Sequence, residues 1–278
     1  MRRVFCIANQ KGGVGKTTAT VNLAAGLGSV GKKVLVVDAD PQGSASISLG
    51  MPDNGSLLLR ALETCSPLPV LETPYPGVDL VPSGRNLVAA RFQFSLAMAQ
   101  DLLNICLEQT QGDWDWVLID CPPSLDVITL AALWAGQHVL VPVEGSPLSV
   151  HGLEQMVQTV SELKEQGANL EIEAVIPSRI HPRRRIYWEI MLRLEQDFPE
   201  KVTPVIRENV ALTEAPGRGK PIHLFARSSN GARDFHEVCT WLVNRFKEDD
   251  HPVLPWETEV EEGQPFASEL AFTATTSN

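Results

Sequence analysis

Five cysteines in 278 residues, none of them in a C-x-x-C pair, are too few and too scattered for a disulfide framework or a zinc site. Cys6, Cys65, Cys106, Cys121 and Cys239 therefore read as small hydrophobes in a reducing compartment. No apolar run reaches the roughly 18 residues of a membrane span. The stretch before Lys11 is too short for a secretory signal, so the protein is expected to be cytoplasmic with no membrane attachment. Internal repeats are absent. Lys and Arg are also absent beyond Lys247, whereas Asp249, Asp250, Glu257, Glu259, Glu261, Glu262 and Glu269 come after it. With Pro252, Pro255 and Pro265 and a Thr/Ser-rich end, residues 249–278 are expected to form a solvated acidic tail, and 253–256 is the stretch there suited to a partner.

The rest of the chain is built differently. Apolar residues make up 44% of the sequence, enough for a sizeable core, and the net charge of -11 owes much to the tail. Short β-branched runs at 4–8, 34–38, 78–81, 116–120, 139–143, 172–176 and 202–206 alternate with longer stretches of helical period. That alternation predicts βαβ units, and strands apolar throughout predict helices on both faces. The expected fold is α/β, a mainly parallel twisted sheet in one domain over 1–248. A helix is expected over 17–30, stopped by Gly31, and a closing helix over 232–247. Residues 65–76, with four prolines in twelve, read as a surface loop.

Directly after the first strand stands Asn9-Gln10-Lys11-Gly12-Gly13-Val14-Gly15-Lys16-Thr17-Thr18, and then a helix. Strand, glycine loop and helix are the context of a phosphate cradle. Glycines let backbone N–H groups approach oxyanions closely, and the helix N-terminus adds partial positive charge. Lys16 can reach terminal phosphates, and Thr17 offers its hydroxyl to Mg²⁺. The common form of the loop has glycine where this chain has Gln10, and here a second lysine, Lys11, comes next.

Two apolar runs end in acids: 34–37 delivers Asp38 and then Asp40, and 116–119 delivers Asp120. Alone, either aspartate reads as a cap or turn residue. Beside a phosphate loop, at the C-terminal ends of neighbouring parallel strands, they read as carboxylates that hold Mg²⁺ through water.

Together with Asp38-Ala39-Asp40-Pro41-Gln42-Gly43-Ser44, Asp120-Cys121-Pro122-Pro123-Ser124 and Asn209-Val210-Ala211-Leu212-Thr213-Glu214-Ala215-Pro216, the loop resembles that of the ParA/Soj-type partitioning ATPases of the deviant Walker A class, over roughly residues 1–247. The resemblance implies an ATP- and Mg²⁺-dependent P-loop ATPase that forms a homodimer on binding ATP. Gly12, Gly13, Val14, Gly15, Lys16, Thr17 and Thr18 would hold the nucleotide, with Arg207 and Asn209 beside the base. Lys11 would reach the partner's phosphates, Thr17, Asp38 and Asp120 would act around Mg²⁺, and Asp40 would orient the attacking water. A cation supplied in trans makes hydrolysis depend on assembly. The implied partners are non-specific DNA and a ParB-like or cargo-adaptor protein that stimulates hydrolysis, with the ATP form on the nucleoid. No segment before the loop is long enough for a helix-turn-helix, so operator binding is not expected.

Two departures stand out. Many relatives read Pro-Arg-Asn-Val-Arg-Leu where this chain has Arg207-Glu208-Asn209-Val210-Ala211-Leu212, so a basic position is Ala211. A Glu-Tyr-Tyr stretch of relatives is Ser146-Pro147-Leu148. Between 179 and 193 five arginines, Arg179, Arg183, Arg184, Arg185 and Arg193, face Glu189 alone. Arg183, Arg184 and Arg185, extended by Arg218 and Lys220, are the expected DNA surface; a salt-bridged, solvated helix face is the other reading. Competing functions on the same nucleotide site are a MinD-like membrane ATPase, disfavoured by the acidic C-terminus, an iron–sulfur reductase, for which Cys121 has no partner, and a metabolic ligase of the dethiobiotin-synthetase kind.

Overall fold

Val34, Leu35, Val36, Val37 and Asp38 are all buried, as a strand flanked by other strands and covered on both faces must be. In a computed structural model that describes residues 2–181 and 183–246, this segment is β2 (Val34–Asp38), inside a sheet whose other strands are β1 (Arg3–Ile7), β3 (Leu71–Glu72), β4 (Val78–Val81), β5 (Trp116–Asp120), β6 (His138–Glu144) and β7 (Glu171–Ser178). Their order is β3-β4-β2-β5-β1-β6-β7, parallel throughout except for β3. The register pairs Ile7 with Asp120 and Asp38 with Asp120, so three strands deliver their last residues side by side.

Alternate residues serve opposite faces. Val4, Cys6, Leu35, Val37, Val117 and Ile119 join α3 (Ser56–Thr64), α5 (Ala99–Gln109), α6 (Val127–Ala135), α7 (Pro147–Glu165) and α8 (Arg185–Asp197) in one core. On the other face lie α1 (Lys16–Ser29), α10 (Ile222–Phe225) and α11 (Asn230–Arg245). There Phe5 stacks on Trp116 at 4.6 Å and 9°, and Phe246, just past α11, meets both rings edge-on. Shorter helices are α2 (Ser44–Ser48), α4 (Ala90–Gln93) and α9 (Val210–Glu214).

Helix α1 ends as its sequence predicts. Gly31 takes φ +82, its N–H donates to Gly28 O, and Lys32 N–H reaches Leu27 O, the Schellman pattern. Six of the seven expected strands are present, those at 34–38, 78–81 and 116–120 to the residue.

The seventh is not a strand. Residues 202–206 make only an isolated bridge, Val202 to Val175, because Pro204 has no N–H to continue a ladder beyond Thr203. The loop at 65–76 contains the two-residue edge strand β3, antiparallel to β4 and exposed, too short for an alternating pattern to reveal. Of the cysteines, Cys65 alone is exposed and all five are free. The expected tail at 249–278 lies outside the described residues.

Candidate functional site

The phosphate loop occupies the C-terminal edge of β1. Gly13 and Gly15 take φ +78 and +96, conformations a side chain would strain, and Gly15 directly precedes α1. No acid stands within the first turn of α1 itself, so the helix presents its positive end to the loop. Lys16 Nζ folds back into the loop and donates to Asn9 O at 3.0 Å and Lys11 O at 3.1 Å. Burial lowers its pKa, against the pull of Asp120.

Asp120 and Asp38 are fully buried neighbours across β5 and β2. Asp120 accepts from Thr17 Oγ1 at 2.7 Å and Thr20 Oγ1 at 3.0 Å. Asp38 accepts from Ser46 N at 2.8 Å, Ser46 Oγ at 2.7 Å and Asp40 N at 3.2 Å. Burial pushes both carboxyls up, and repulsion between neighbouring carboxylates adds to it. Two buried carboxylates and a threonine hydroxyl form an all-oxygen donor set, which fits a hard divalent cation such as Mg²⁺ and not a soft one. Asp40 belongs to the same field, acting on Lys16, Asp38 and Asp120, and its Oδ1 accepts from Gln42 N at 2.8 Å.

Lys11 does something different from Lys16. Its Nζ leaves the loop and meets Glu144 Oε2 at 3.4 Å, Ser146 Oγ at 3.0 Å and Ser149 Oγ at 3.0 Å, at the junction of β6 and α7. Sequence reasoning missed these three as site residues. Glu144 nevertheless ends an apolar strand in an acid, the pattern that marks Asp38 and Asp120.

A cavity of about 320 Å³ extends from the loop. It is lined by Gly13, Gly15 and Thr18 of the loop and helix α1, by Ser178 and Arg179, and by a mixed stretch that includes Ile206, Arg207, Glu208, Asn209 and Leu212. The end of β7 adjoins both groups, Ser178 lying against Gly15 and Ile180 N–H donating to Ile206 O. A cavity of this size that opens from a glycine loop is large enough to take part of a nucleotide. The Arg207 guanidinium is engaged by Asp234 of α11, with Nε at 3.0 Å from Oδ1, so it frames the cavity with an ion pair. Asn209 Oδ1 caps α9, accepting from Ala211 N at 2.9 Å.

The arginine cluster separates. Arg193 pairs with Glu154 and Asp197 on the surface of α8, the salt-bridged helix-face reading. Arg179 turns to the phosphate loop, and Arg183 and Arg184 stay exposed before α8. Arg218 and Lys220 flank Gly219, whose backbone lies against Gly50 just beyond α2, on the β2 side of the sheet. Arg183 and Arg184 come after β7, four strand positions away, about 19 Å at ~4.8 Å per strand. Arg185 opens α8, and its side chain lies outside the described ones.

A family model described as "AAA domain" matches residues 2–174. The sporulation initiation inhibitor protein Soj of Bacillus subtilis is 36% identical over 86% of this chain and 97% of its own. The chromosome partitioning protein ParA of Caulobacter vibrioides is 33% identical over 87% and 94%. Among solved structures, cobyrinic acid a,c-diamide synthase of Mycobacterium smegmatis with bound ADP and magnesium aligns with a TM-score of 0.73 at 31% identity, covering 88% of this chain and 95% of that one. The glycine loop with paired strand-end aspartates defines a P-loop ATPase. The chain belongs to the ParA/MinD family of these ATPases, with ATP and Mg²⁺ as cofactors.

Proposed function

We propose that this protein is a positioning ATPase of the ParA kind, which dimerises on ATP, binds DNA without regard to sequence and moves or segregates a cargo under the control of a stimulating partner protein. The observation that carries this reading is the division of labour between two lysines of one loop. Lys16 serves its own cradle, whereas Lys11 is aimed out of it at Glu144, Ser146 and Ser149, where a cation meant for another protomer's nucleotide would be kept.

In this reading the loop from Gly12 to Thr18 holds the phosphates, and Lys16 neutralises the terminal ones. Bound Mg²⁺ supplies charge neutralisation at the transferred phosphoryl group. Thr17, Asp38 and Asp120 hold it, Asp40 orients the water, and Arg207 and Asn209 frame the base. Arg183, Arg184, Arg185, Arg218 and Lys220 contact the DNA backbone, and dimerisation doubles their number. Nucleoid association results from that contact. Names of the relatives support partitioning; the similarity to a cobyrinic acid synthase supports a metabolic ligase as the competing reading. Among the described residues no helix is long and apolar enough to cross a membrane.

The test is an anisotropy titration of a scrambled duplex with ATP, with ADP and without nucleotide, at several salt concentrations. Binding confined to the ATP state is expected. Each neutralised phosphate contributes a slope of about -0.9 in log affinity against log salt, so replacing Arg183, Arg184 and Arg185 by Ala flattens that dependence. No binding at low salt with ATP, or equal binding in all three states, rejects the DNA part of this reading and moves the assignment to a positioning ATPase that does not act on DNA or to the metabolic ligase.

A further inference from the structure

Arg179 stands just past the last residue of β7 and holds φ +52, the left-handed region that a β-carbon makes costly outside glycine and asparagine. Its neighbour Ser178 lies against the phosphate loop: a β-carbon on Gly15 would stand 3.7 Å from that of Ser178. The Arg179 guanidinium, about half exposed, has Nη1 3.4 Å from Gly13 O and 3.9 Å from Glu144 Oε1. It also lines the 320 Å³ cavity together with Gly13, Gly15 and Thr18 and with Ile206 to Asn209. The next residue, Ile180, donates its N–H to Ile206 O, so this short segment touches the loop on one side and the 206–209 stretch on the other.

We propose that Arg179 is a nucleotide-positioning residue that straps the Gly13 peptide from the sugar side of the cavity. The proposal rests on the loop being the nucleotide site, and place and charge carry it from there. A nucleotide with its phosphates in the loop and its base beyond Ile206 must pass its sugar by Ser178 and Arg179. A guanidinium anchored there to the Gly13 carbonyl fixes the orientation of the planar Gly13–Val14 peptide, whose N–H serves the phosphates, and puts a positive charge beside the phosphate nearest the sugar. The anchor uses the carbonyl because the arginine has donors only. Glu144, shared with Lys11, is the alternative seat for the same side chain, so the strap tightens when the nucleotide draws the guanidinium inward. The backbone strain at φ +52 is what this placement costs.

ADP and ATP share sugar and inner phosphates, so the strap acts on both alike and on ground and transition states alike. The experiment measures Kd for Mg-ADP and Mg-ATP by calorimetry, kcat and KM for hydrolysis, and nucleotide-free melting, in wild type, Arg179→Ala, Arg179→Lys and Arg179→Gly, with Lys16→Ala as control. Ala and Gly are expected to weaken both nucleotides about tenfold, the worth of one charge-assisted contact, raising KM and leaving kcat within about twofold. Lys, which keeps a donor and the charge, recovers most of the affinity. Melting is unchanged in Ala and unchanged or higher in Gly, which relieves the positive φ. Unchanged affinities, loss of ATP alone, a fall in kcat without a rise in KM, or melting that falls in step with affinity would each overturn the proposal. If Lys16→Ala keeps wild-type affinity, the loop assignment itself fails, a result distinct from any of these.

Discussion

Lys11 Nζ and Glu144 Oε2 face each other at 3.4 Å within one protomer, with Ser146 and Ser149 hydroxyls completing the seat of the ammonium. A lysine that acts on a partner's nucleotide must leave this seat, and the pair, partly shielded from solvent, holds it by about 1 kcal/mol or less. Glu144→Gln is therefore expected to lower the protein concentration for ATP-dependent dimerisation about two- to fivefold. Lys11→Ala leaves ATP bound to a monomer. Light scattering with and without ATP and Mg²⁺ reads both, and a Glu144→Gln protein that dimerises no more readily than wild type shows that the seat does not oppose assembly.

Lys16 and Asp40 separate binding from turnover. Lys16 is the buried cation of the loop, so Lys16→Ala is expected to weaken ATP about a hundredfold or more by calorimetry. Asp40 is tied to its own turn instead, its Oδ1 accepting from Gln42 N and its N–H donating to Asp38. Asp40→Ala is expected to bind ATP and accumulate as a dimer while hydrolysis slows about a hundredfold. An Asp40→Ala enzyme with wild-type turnover would remove that residue from the reaction.

Much of the site is legible in the sequence because chemistry and strand edges coincide: Asp38 and Asp120 each sit where a run of apolar residues stops, and Lys16 and Thr17 where a glycine loop meets a helix. The segment 202–206 misleads because Thr203-Pro204-Val205 looks β-branched while Pro204 lacks the donor a ladder requires. Arg179 reads in sequence as one member of a basic cluster, and only its left-handed backbone sends it to Gly13 instead. Glu144, Ser146 and Ser149 depend on where β6 and α7 meet Lys11, more than 130 residues away in the chain, and no local pattern encodes that meeting.

Glu173 of β7 provides a pH-dependent clamp. The His138 imidazole, with Nδ1 3.2 Å from Glu173 Oε2, and the Arg245 guanidinium of α11 bring its carboxyl down to about 2. A folded value below the unfolded one of about 4.3 contributes stability above the unfolded value, and the contribution is lost as pH falls from about 4.3 through 2. Discounted for solvent screening, the clamp is worth about 1 kcal/mol. Glu173→Gln is expected to melt about 2–4 °C lower at pH 7 and to show a shallower loss of stability between about pH 5 and 3. Identical acid profiles for the two proteins would contradict it.

Phe246, the last of the described residues, packs against the aromatic residues of the sheet. Phe246 meets Phe5 at 5.1 Å, His138 at 5.0 Å and Trp116 at 5.5 Å, under the Arg3 guanidinium at 5.4 Å from the centroid. Such a ring contributes through buried area and edge-to-face contact, about 2 kcal/mol for one partly exposed. Residues 249–278 carry seven acids, no Lys or Arg and no apolar periodicity with which to dock. Truncation after Lys247 is thus expected to leave the melting temperature within about 2 °C and ATP hydrolysis intact, whereas truncation after Arg245, which also removes Phe246, lowers melting by about 4–8 °C. Differential scanning calorimetry of the two truncations and the full chain decides the boundary. Equal destabilisation by both cuts would place a packed element beyond Phe246.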